Sequence, residues 1–366
     1  MDAAFVTNIM APYRLPLFRA LHAALPGGIG VVCLARSEPN RSWEPWREAP
    51  FPVRILSGRT IRLGPERFLH VRRGVTRQLS EWSPGAVVVG GWDAPGYWLA
   101  GGYAARRRVP LLAWVGTHGG SARRGGMRRN LRRAFLSRVD GILAYGTVAA
   151  EYAVELGLPR ERVAVVGNPV DTDAVAAAAR AFRESTRGRQ LLEELARPAF
   201  AYVGQLIPRK NVDALAQAWA QAVPDTSLLV VGGGEPPAAL RDQTPNVRLL
   251  GELAPQRVHE LLGVVDAVVM PSVEEVWGLV VNEALAAGAL CIVSRNAGAA
   301  ELVHPPANGE VVGTGADEIA DALRRVAART PLSAEDRERV AATSAPGSMD
   351  AAVPRFVEAL ARFRRR

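Results

Sequence analysis

The sequence predicts an α/β protein of two domains, each built on a doubly wound parallel sheet. Three observations carry this. Short, nearly continuous apolar runs alternate with segments of helical spacing, the pattern of strands buried on both faces between layers of helix. The alternation runs from Ala4 to Val166 and begins again at Phe200. At 366 residues the chain is long for one core and comfortable for two.

Ala4-Phe5-Val6-Thr7 reads as the first strand, followed by a loop to Pro12 and a helix from about Tyr13 to Leu25. Leu15, Phe18, Leu21 and Leu25 recur at helical spacing and face inward. Ile29 to Leu34 is the second strand. Strands and helices then alternate through Pro52–Leu56, a helix over Phe68–Trp82, Ala86–Val89, a helix over Tyr97–Arg107 and Leu111–Val115. They continue through a helix over Met127–Ser137, Gly141–Tyr145, a helix over Val148–Leu156 and Val163–Val166. The first domain is expected to span 1–172. Asp173 to Arg197, rich in Ala, Arg and Glu, reads as helix leading into a second domain over 173–345. That domain runs Ala201–Gly204, Val212–Gln221, Leu228–Val231, Ala238–Arg241, Val247–Leu250, Gln256–Leu262, Ala267–Met270, Gly278–Ala287, Leu290–Val293, Glu310–Val312 and Ala316–Ala328. Gly288 is a good C-cap for the helix before it. A last helix, Met349 to Arg366, turns Val353, Phe356, Val357, Leu360 and Phe363 inward.

Ligands of such sheets sit at the carboxyl ends of the strands, so the informative loops are 8–14, 90–96, 116–126 and 167–171. Met10, Tyr13, Arg14, Trp92 and Asp93 are the candidates to meet a second substrate in the first domain. His118 ends a strand inside V-G-T-H-G-G-S-A-R-R-G-G. There a neutral imidazole can hydrogen-bond a sugar hydroxyl or the reaction centre, or stand as a loop histidine without a role.

Composition narrows the class. The net charge of +9 is uneven: residues 1–172 hold 24 Arg against 12 acidic residues, and the remainder 21 basic against 24 acidic. No aromatic-interleaved basic patch accompanies the charge, so nucleic acid is not the expected partner. No run is long and apolar enough for a membrane span, and the N-terminus lacks the pattern of a secretory signal. Cys33 and Cys291 lie in apolar strand-like runs and read as buried thiols, which fits a reducing, cytoplasmic setting. The segment 123–138 is a basic amphipathic helix with Met127, Leu131, Ala134 and Phe135 on one side. It reads as a core-packed helix with a solvated arginine face, as a peripheral contact with an anionic inner-membrane face, or as a phosphate site for an acceptor.

Two stretches carry the chemistry. Gly204-Gln205-Leu206-Ile207-Pro208-Arg209-Lys210-Asn211 places two cations between a strand and a helix N-terminus, where free N–H groups suit an anion. The guanidinium can fork two oxygens and the ammonium acts as a point charge, a pairing matched to a diphosphate. Of the 45 basic residues 44 are Arg, and the single lysine is Lys210. A chain that uses arginine almost everywhere keeps its lysine at this loop. The second stretch, Pro271 to Leu285, brings Glu275 before a helix and Glu283 within it. Their spacing of eight suggests roughly one side of the element. The amides of Gly278, Leu279 and Val280 are expected at the helix start. Asp171-Thr172-Asp173 has a metal-binding form, but its place at a helix start favours N-capping, and no metal or cofactor is expected.

Together these stretches resemble the donor site of the retaining GT-B glycosyltransferases of family four. The resemblance rests on the Arg-Lys pair after a G-x-L strand end and on Glu275-Val276-Trp277-Gly278-Leu279-Val280-Val281-Asn282-Glu283-Ala284, which resembles E-G-F-G-L-x-x-x-E-A with Trp for Phe. It covers most of residues 200–303. It implies two Rossmann-like domains facing a central cleft, with the helix 346–366 crossing back to the first. It implies that Arg209 and Lys210 hold a donor diphosphate, Glu283 a ribose and Glu275 the donor sugar. Gly204, Gln205 and Gly251 lie along the nucleotide, and His118 contacts the donor sugar. The implied reaction is a retaining, metal-independent sugar transfer from a nucleotide-diphosphate sugar to an acceptor hydroxyl on a glycan, a lipid-linked molecule or a secondary metabolite. A GT-B-type epimerase or phosphorylase, and a non-catalytic nucleotide-sugar binder, are the alternatives.

Overall fold

The computed structural model describes residues 1–37, 48–64, 67–119, 127–241 and 246–364. The chain divides into two compact units, Met1–Gly167 joined by Met349–Arg366, and Asn168–Ser348.

The N-terminal unit is a parallel sheet in the order β3-β2-β1-β6-β7-β8-β9. Its strands are β1 (Ala3–Thr7), β2 (Ile29–Cys33), β3 (Val53–Ile55), β6 (Val87–Val89), β7 (Leu111–Val115), β8 (Gly141–Ala144) and β9 (Val163–Val165). A separate antiparallel hairpin joins β4 (Gly58–Gly64) to β5 (Arg67–Arg72). Alternate residues of the strands feed two cores. Ala4, Val6, Val87, Val89 and Ile142 pack on one face, and Ala3, Phe5, Val88, Leu112 and Leu143 on the other. This two-sided burial is what makes the strands read as unbroken apolar runs. The first face is covered by α2 (Val75–Trp82), α3 (Pro95–Arg107), α4 (Met127–Leu136) and α5 (Thr147–Glu155), the second by α1 (Leu15–Ala24) and the final helix.

The C-terminal unit is built around β10 (Ala199–Val203), β11 (Ser227–Val231), β12 (Val247–Gly251), β13 (Ala267–Met270), β14 (Leu290–Ser294) and β15 (Gly309–Val312). Their order is β12-β11-β10-β13-β14-β15, all parallel. Its helices are α6 (Thr172–Glu184), α7 (Thr186–Glu194), α8 (Val212–Ala222), α9 (Ala238–Arg241), α10 (Pro255–Leu262), α11 (Leu279–Ala286), α12 (Ala316–Ala327) and α13 (Ala334–Ala342). The last helix of the chain, α14 (Met349–Arg364), packs on α1 in the N-terminal unit. Asp266, fully buried, accepts from the amides of Ala199 and Leu332 at 2.8 and 3.1 Å and pairs with Arg197 and Arg337. It thereby clamps the starts of β10 and β13 side by side.

Three expectations are corrected. Phe68 to Arg72 is strand rather than helix, because the segment alternates. His70 and Arg72 are buried and Val71 is exposed, and His70 and Arg72 both reach Thr60 Oγ1 across the hairpin. The segment 173–197 is two helices rather than one. Ser185 ends α6 in extended backbone, and its hydroxyl accepts from the Gly188 amide to cap α7. In α4 the packed side differs from the expected one. Leu131 is exposed, while Arg132 is turned inward, donating to Tyr152 Oη at 2.8 Å beneath the Trp92 ring. The long aliphatic stem and the ring faces let the arginine take a core position. Residues 120–126 of that predicted segment lie outside the described residues.

Candidate active site

A doubly wound sheet opens at its carboxyl edge where the strand order reverses, and ligands bind there. In the C-terminal unit the reversal falls between the neighbours β10 and β13. The loops that leave these two strands are the two stretches singled out in the sequence, 204–211 and 271–278.

They are stitched together through backbone and side chains. The Arg209 carbonyl accepts from the amides of Val273 at 2.9 Å and Glu274 at 3.4 Å. Lys210 Nζ forms an ion pair with Glu275 Oε2, both side chains mostly buried. Pro208–Lys210 forms a single 3₁₀ turn, ended by Asn211 with φ of 59°. In this left-handed conformation, which asparagine tolerates well, its side chain donates to the carbonyls of Pro271 at 3.0 Å and Thr314 at 2.9 Å. One residue therefore starts α8 and anchors the opposite loop.

Beneath the pair lies Tyr202. Its hydroxyl donates to the Gln205 carbonyl at 2.8 Å and shapes the Gly204-Gln205 corner. Burial, and then the negative charge of Glu275, hold its phenol well above the ordinary range, against a smaller opposing pull from Arg209. Tyr202 is a neutral donor at every working pH.

Gly278 is the N-cap of α11, with φ of 101° and no side-chain cap on the first helical amides. A Cβ there would lie 2.5 Å from Met270 Sδ. Glycine at 278 is thus fixed by packing as well as by conformation. The helix runs Leu279–Ala286, one residue shorter at each end than expected. Glu275 stands before it, as expected, in a turn bridged to Ala297, and Glu283 lies within it. Glu283, on α11, faces His259 Nε2 of α10 at 3.5 Å. Gly251 closes β12 on the surface with φ of 65° and accepts from the Gly232 amide at 2.8 Å.

In the N-terminal unit the reversal falls between β1 and β6, so the loops 8–14 and 90–96 share that edge. Tyr97 Oη ties them by donating to Asn8 Oδ1 at 2.8 Å. Arg14 lies over the Trp114 ring at 3.9 Å and donates to Tyr145 Oη at 2.8 Å. Tyr13 and Asp93 are exposed. Trp92 is half-buried and its carbonyl accepts from Trp98 Nε1. Met10 is corrected: it is 4% exposed and packs into the core with Phe5 and Phe18, so it is not available to a substrate. His118 is buried just beyond β7. Asp171 accepts from the Ala174 amide at 3.0 Å and caps α6. Tyr202, Asn211 and His259 were not legible as site residues. Asn211 and His259 act through neighbours distant in sequence, Tyr202 reads as one more strand residue, and only the left-handed preference of asparagine before a helix offered a signal.

Comparison with known proteins defines the class. A family profile described as "Glycosyl transferases group 1" matches residues 197–329, and one described as "Glycosyltransferase Family 4" matches residues 17–174. The chain is a GT-B glycosyltransferase and belongs to glycosyltransferase family four. It is 28% identical over 299 residues to a D-inositol 3-phosphate glycosyltransferase of Mycolicibacterium smegmatis, covering 74% of this chain and 68% of that one. It is 31% identical over 173 residues to a GDP-mannose-dependent alpha-mannosyltransferase of the same organism, covering 47% of this chain and 44% of that protein. The chain thus spans under half of this second relative. The structure of Anabaena Alr3699/HepE in complex with UDP aligns with a TM-score of 0.74 at 16% identity, covering 99% of this chain and 100% of that one. The lipopolysaccharide outer core galactosyltransferase WaaB aligns with a TM-score of 0.71 at 17% identity, covering 98% and 99%. At these identities the two structures speak for the fold.

Proposed function

We propose that this enzyme transfers a sugar from a nucleotide-diphosphate sugar to an acceptor hydroxyl, with retention at the anomeric carbon and without a metal ion. The observation that carries the reading is the Arg209–Lys210 turn placed at the switch point of the C-terminal sheet and joined to the Glu275 loop. In the free protein Lys210 neutralises Glu275. A diphosphate entering beside the turn offers Lys210 a doubly charged partner, and Arg209 a fork for two oxygens.

As the bond from the anomeric carbon to the phosphate oxygen breaks, its electron pair passes to the diphosphate. Arg209, Lys210 and the uncapped first amides of α11 stabilise that charge. The acceptor oxygen bonds to the anomeric carbon on the same face, and its proton passes to the leaving phosphate oxygen. Glu275, engaged by Lys210, orients the sugar and is not the nucleophile. Glu283 binds ribose hydroxyls. Asp171 is occupied as a helix cap, and the cations supply the charge a metal would otherwise bring, so chelator is expected to leave turnover unchanged. The acceptor is bound by the basic N-terminal unit, where Tyr13, Arg14, Trp92 and Asp93 lie on the two switch-point loops, and His118, just beyond β7, contacts the donor sugar. The exposed Leu131, Arg129 and Arg133 of α4 favour peripheral contact with an anionic membrane face of the cytoplasm.

The test is calorimetric binding of UDP, GDP, dTDP and ADP. One relative is named for GDP-mannose, and one structural neighbour was solved with UDP. Binding of one diphosphate, lost in Lys210→Ala, is the expected result. Binding of none overturns the reading.

A further inference from the structure

Trp277 stands where the family pattern has Phe, and the indole nitrogen it adds has a partner. Trp277 is 5% exposed, and its Nε1 donates to Asn282 Oδ1 at 2.9 Å. An indole N–H can only donate, so this bond fixes which way the Asn282 amide faces. Its Nδ2 then donates to the carbonyls of Gly347 at 3.2 Å and Asn168 at 3.4 Å, with the side chain 1% exposed. Those two carbonyls sit at the ends of the C-terminal unit, which begins at Asn168 and ends at Ser348. The two ends are themselves joined, since Val170 N donates to the Gly347 carbonyl at 3.1 Å and Val170 bridges to Ser348. Glycine is required at 347, because a Cβ there would collide with Asn282 Nδ2.

The other end of the chain of bonds is the donor loop. Trp277 lies two residues after Glu275 and immediately before Gly278. Its carbonyl accepts from the Ala299 amide at 3.0 Å, next to the Glu275–Ala297 bridge. A single buried asparagine therefore joins the turn carrying Glu275 to both places at which the chain enters and leaves this unit. Buried polar groups of this kind are costly when unmatched, so losing any one of the three bonds strands a buried partner.

We propose that Trp277 and Asn282 are positioning residues for the transfer, transmitting occupancy of the Glu275 turn to the two connections at Asn168 and Gly347. The inference rests on the donor-site reading above. Neither residue touches the substrate. Trp277 sets the Glu275–Gly278 turn from behind, and Asn282 holds the connections in the arrangement that the occupied turn requires.

The experiment is hydrogen–deuterium exchange of peptides covering 166–171 and 345–350, with and without saturating UDP or GDP, in wild type and in Trp277→Phe. The wild type is expected to show slowed exchange in both peptides on nucleotide binding. Trp277→Phe is expected to keep its nucleotide Kd within about threefold, to lose the protection, and to show a kcat lower by about 10- to 100-fold, the scale set by a misplaced reacting group. Trp277→Phe leaves the Asn282 oxygen unmatched, so the double variant Trp277→Phe/Asn282→Leu, which removes both polar partners, is the second test. It is expected to fold and bind nucleotide while showing no protection. Protection surviving in either variant overturns the inference. So does nucleotide binding to wild type without protection, or a loss of nucleotide affinity in Trp277→Phe as large as its loss of kcat. Wild type that binds none of UDP, GDP, dTDP and ADP overturns the donor-site reading itself, and the inference with it.

Discussion

Replacing Lys210 by Ala has two separable effects, and their sizes follow from the geometry. The Lys210 and Glu275 side chains are 15% and 12% exposed, so charges at the turn interact through an effective dielectric nearer 20 than 80. A unit charge on Lys210 at about 4 Å from a diphosphate oxygen is then worth about 4 kcal/mol. The Glu275 carboxylate, at about 8 Å from the diphosphate, opposes binding by 2 kcal/mol or so in wild type and variant alike. Against the Lys210 contribution stands the Lys210–Glu275 attraction that wild type gives up when the ligand enters. The net loss is about 3 kcal/mol, roughly two orders of magnitude in Kd for the diphosphate. The cost to folding is smaller, about 1–2 kcal/mol, because both groups keep some contact with water. Calorimetry with the bare diphosphate, which carries no sugar for Glu275 to hold, isolates the electrostatics. Urea unfolding gives the stability. The decisive variant is Lys210→Ala/Glu275→Gln. With the stranded carboxylate neutralised, it should recover about 30-fold in Kd over Lys210→Ala. No recovery, or a Kd for Lys210→Ala within threefold of wild type, refutes the placement of the diphosphate beside this pair.

Three further outcomes follow from the same structure. Gly278→Ala must force a left-handed backbone on alanine and push against Met270 Sδ. It should lose about 1–3 kcal/mol with a matching fall in Tm, whereas Gly315→Ala, at φ of −76° with open space around it, should change stability by under about 1 kcal/mol. Asp266→Ala strands Arg197 and Arg337 and frees two buried amides. A loss of about 3–5 kcal/mol in urea is expected, and an unchanged midpoint would refute the clamp. Burial pushes the Cys33 thiol up to about 12, against a weaker pull from the Met10 backbone, and raises Cys291 as well. Native protein at pH 8 should therefore label with a thiol reagent at a small fraction of the rate in urea. Because these thiols favour the neutral form when folded, their stabilising effect is complete below about pH 8 and is lost as pH rises toward 12. Rapid native labelling at pH 8 would refute the burial.

Both sheets were legible because parallel strands buried on two faces leave no polar residue to interrupt them. Phe5 and Val6 point to opposite cores and are both apolar for that reason. The β4–β5 pair was not legible, because its buried residues are His70 and Arg72, which meet Thr60 on the facing strand. A strand whose buried side is polar carries no apolar period. The same failure recurs in α4, where Arg132 takes the inward place that periodicity assigned to Leu131. Met10 looked like a loop residue facing ligand because its neighbours Asn8 and Pro12 break the strand, yet three-dimensional packing returns it to the core.

The site divides in the same way. Arg209 and Lys210 were visible because they answer a local demand for charge at a helix start, and Glu275 and Gly278 because they stand in a spaced motif leading into a helix. What the sequence could not show is that the two loops follow neighbouring strands, since β10 and β13 lie some sixty residues apart and their adjacency is a property of strand order. That adjacency turns two ordinary loop motifs into one site. The residues that enforce it, Asp266 at the strand starts and Asn211 across the loop ends, bear no charge toward a ligand and carry no motif. Their role is to hold the two strand starts and the two loops side by side. A fixed pair can exchange partners for a diphosphate without rebuilding the loops around it, and that preorganisation is the part of catalysis the fold supplies before any substrate arrives.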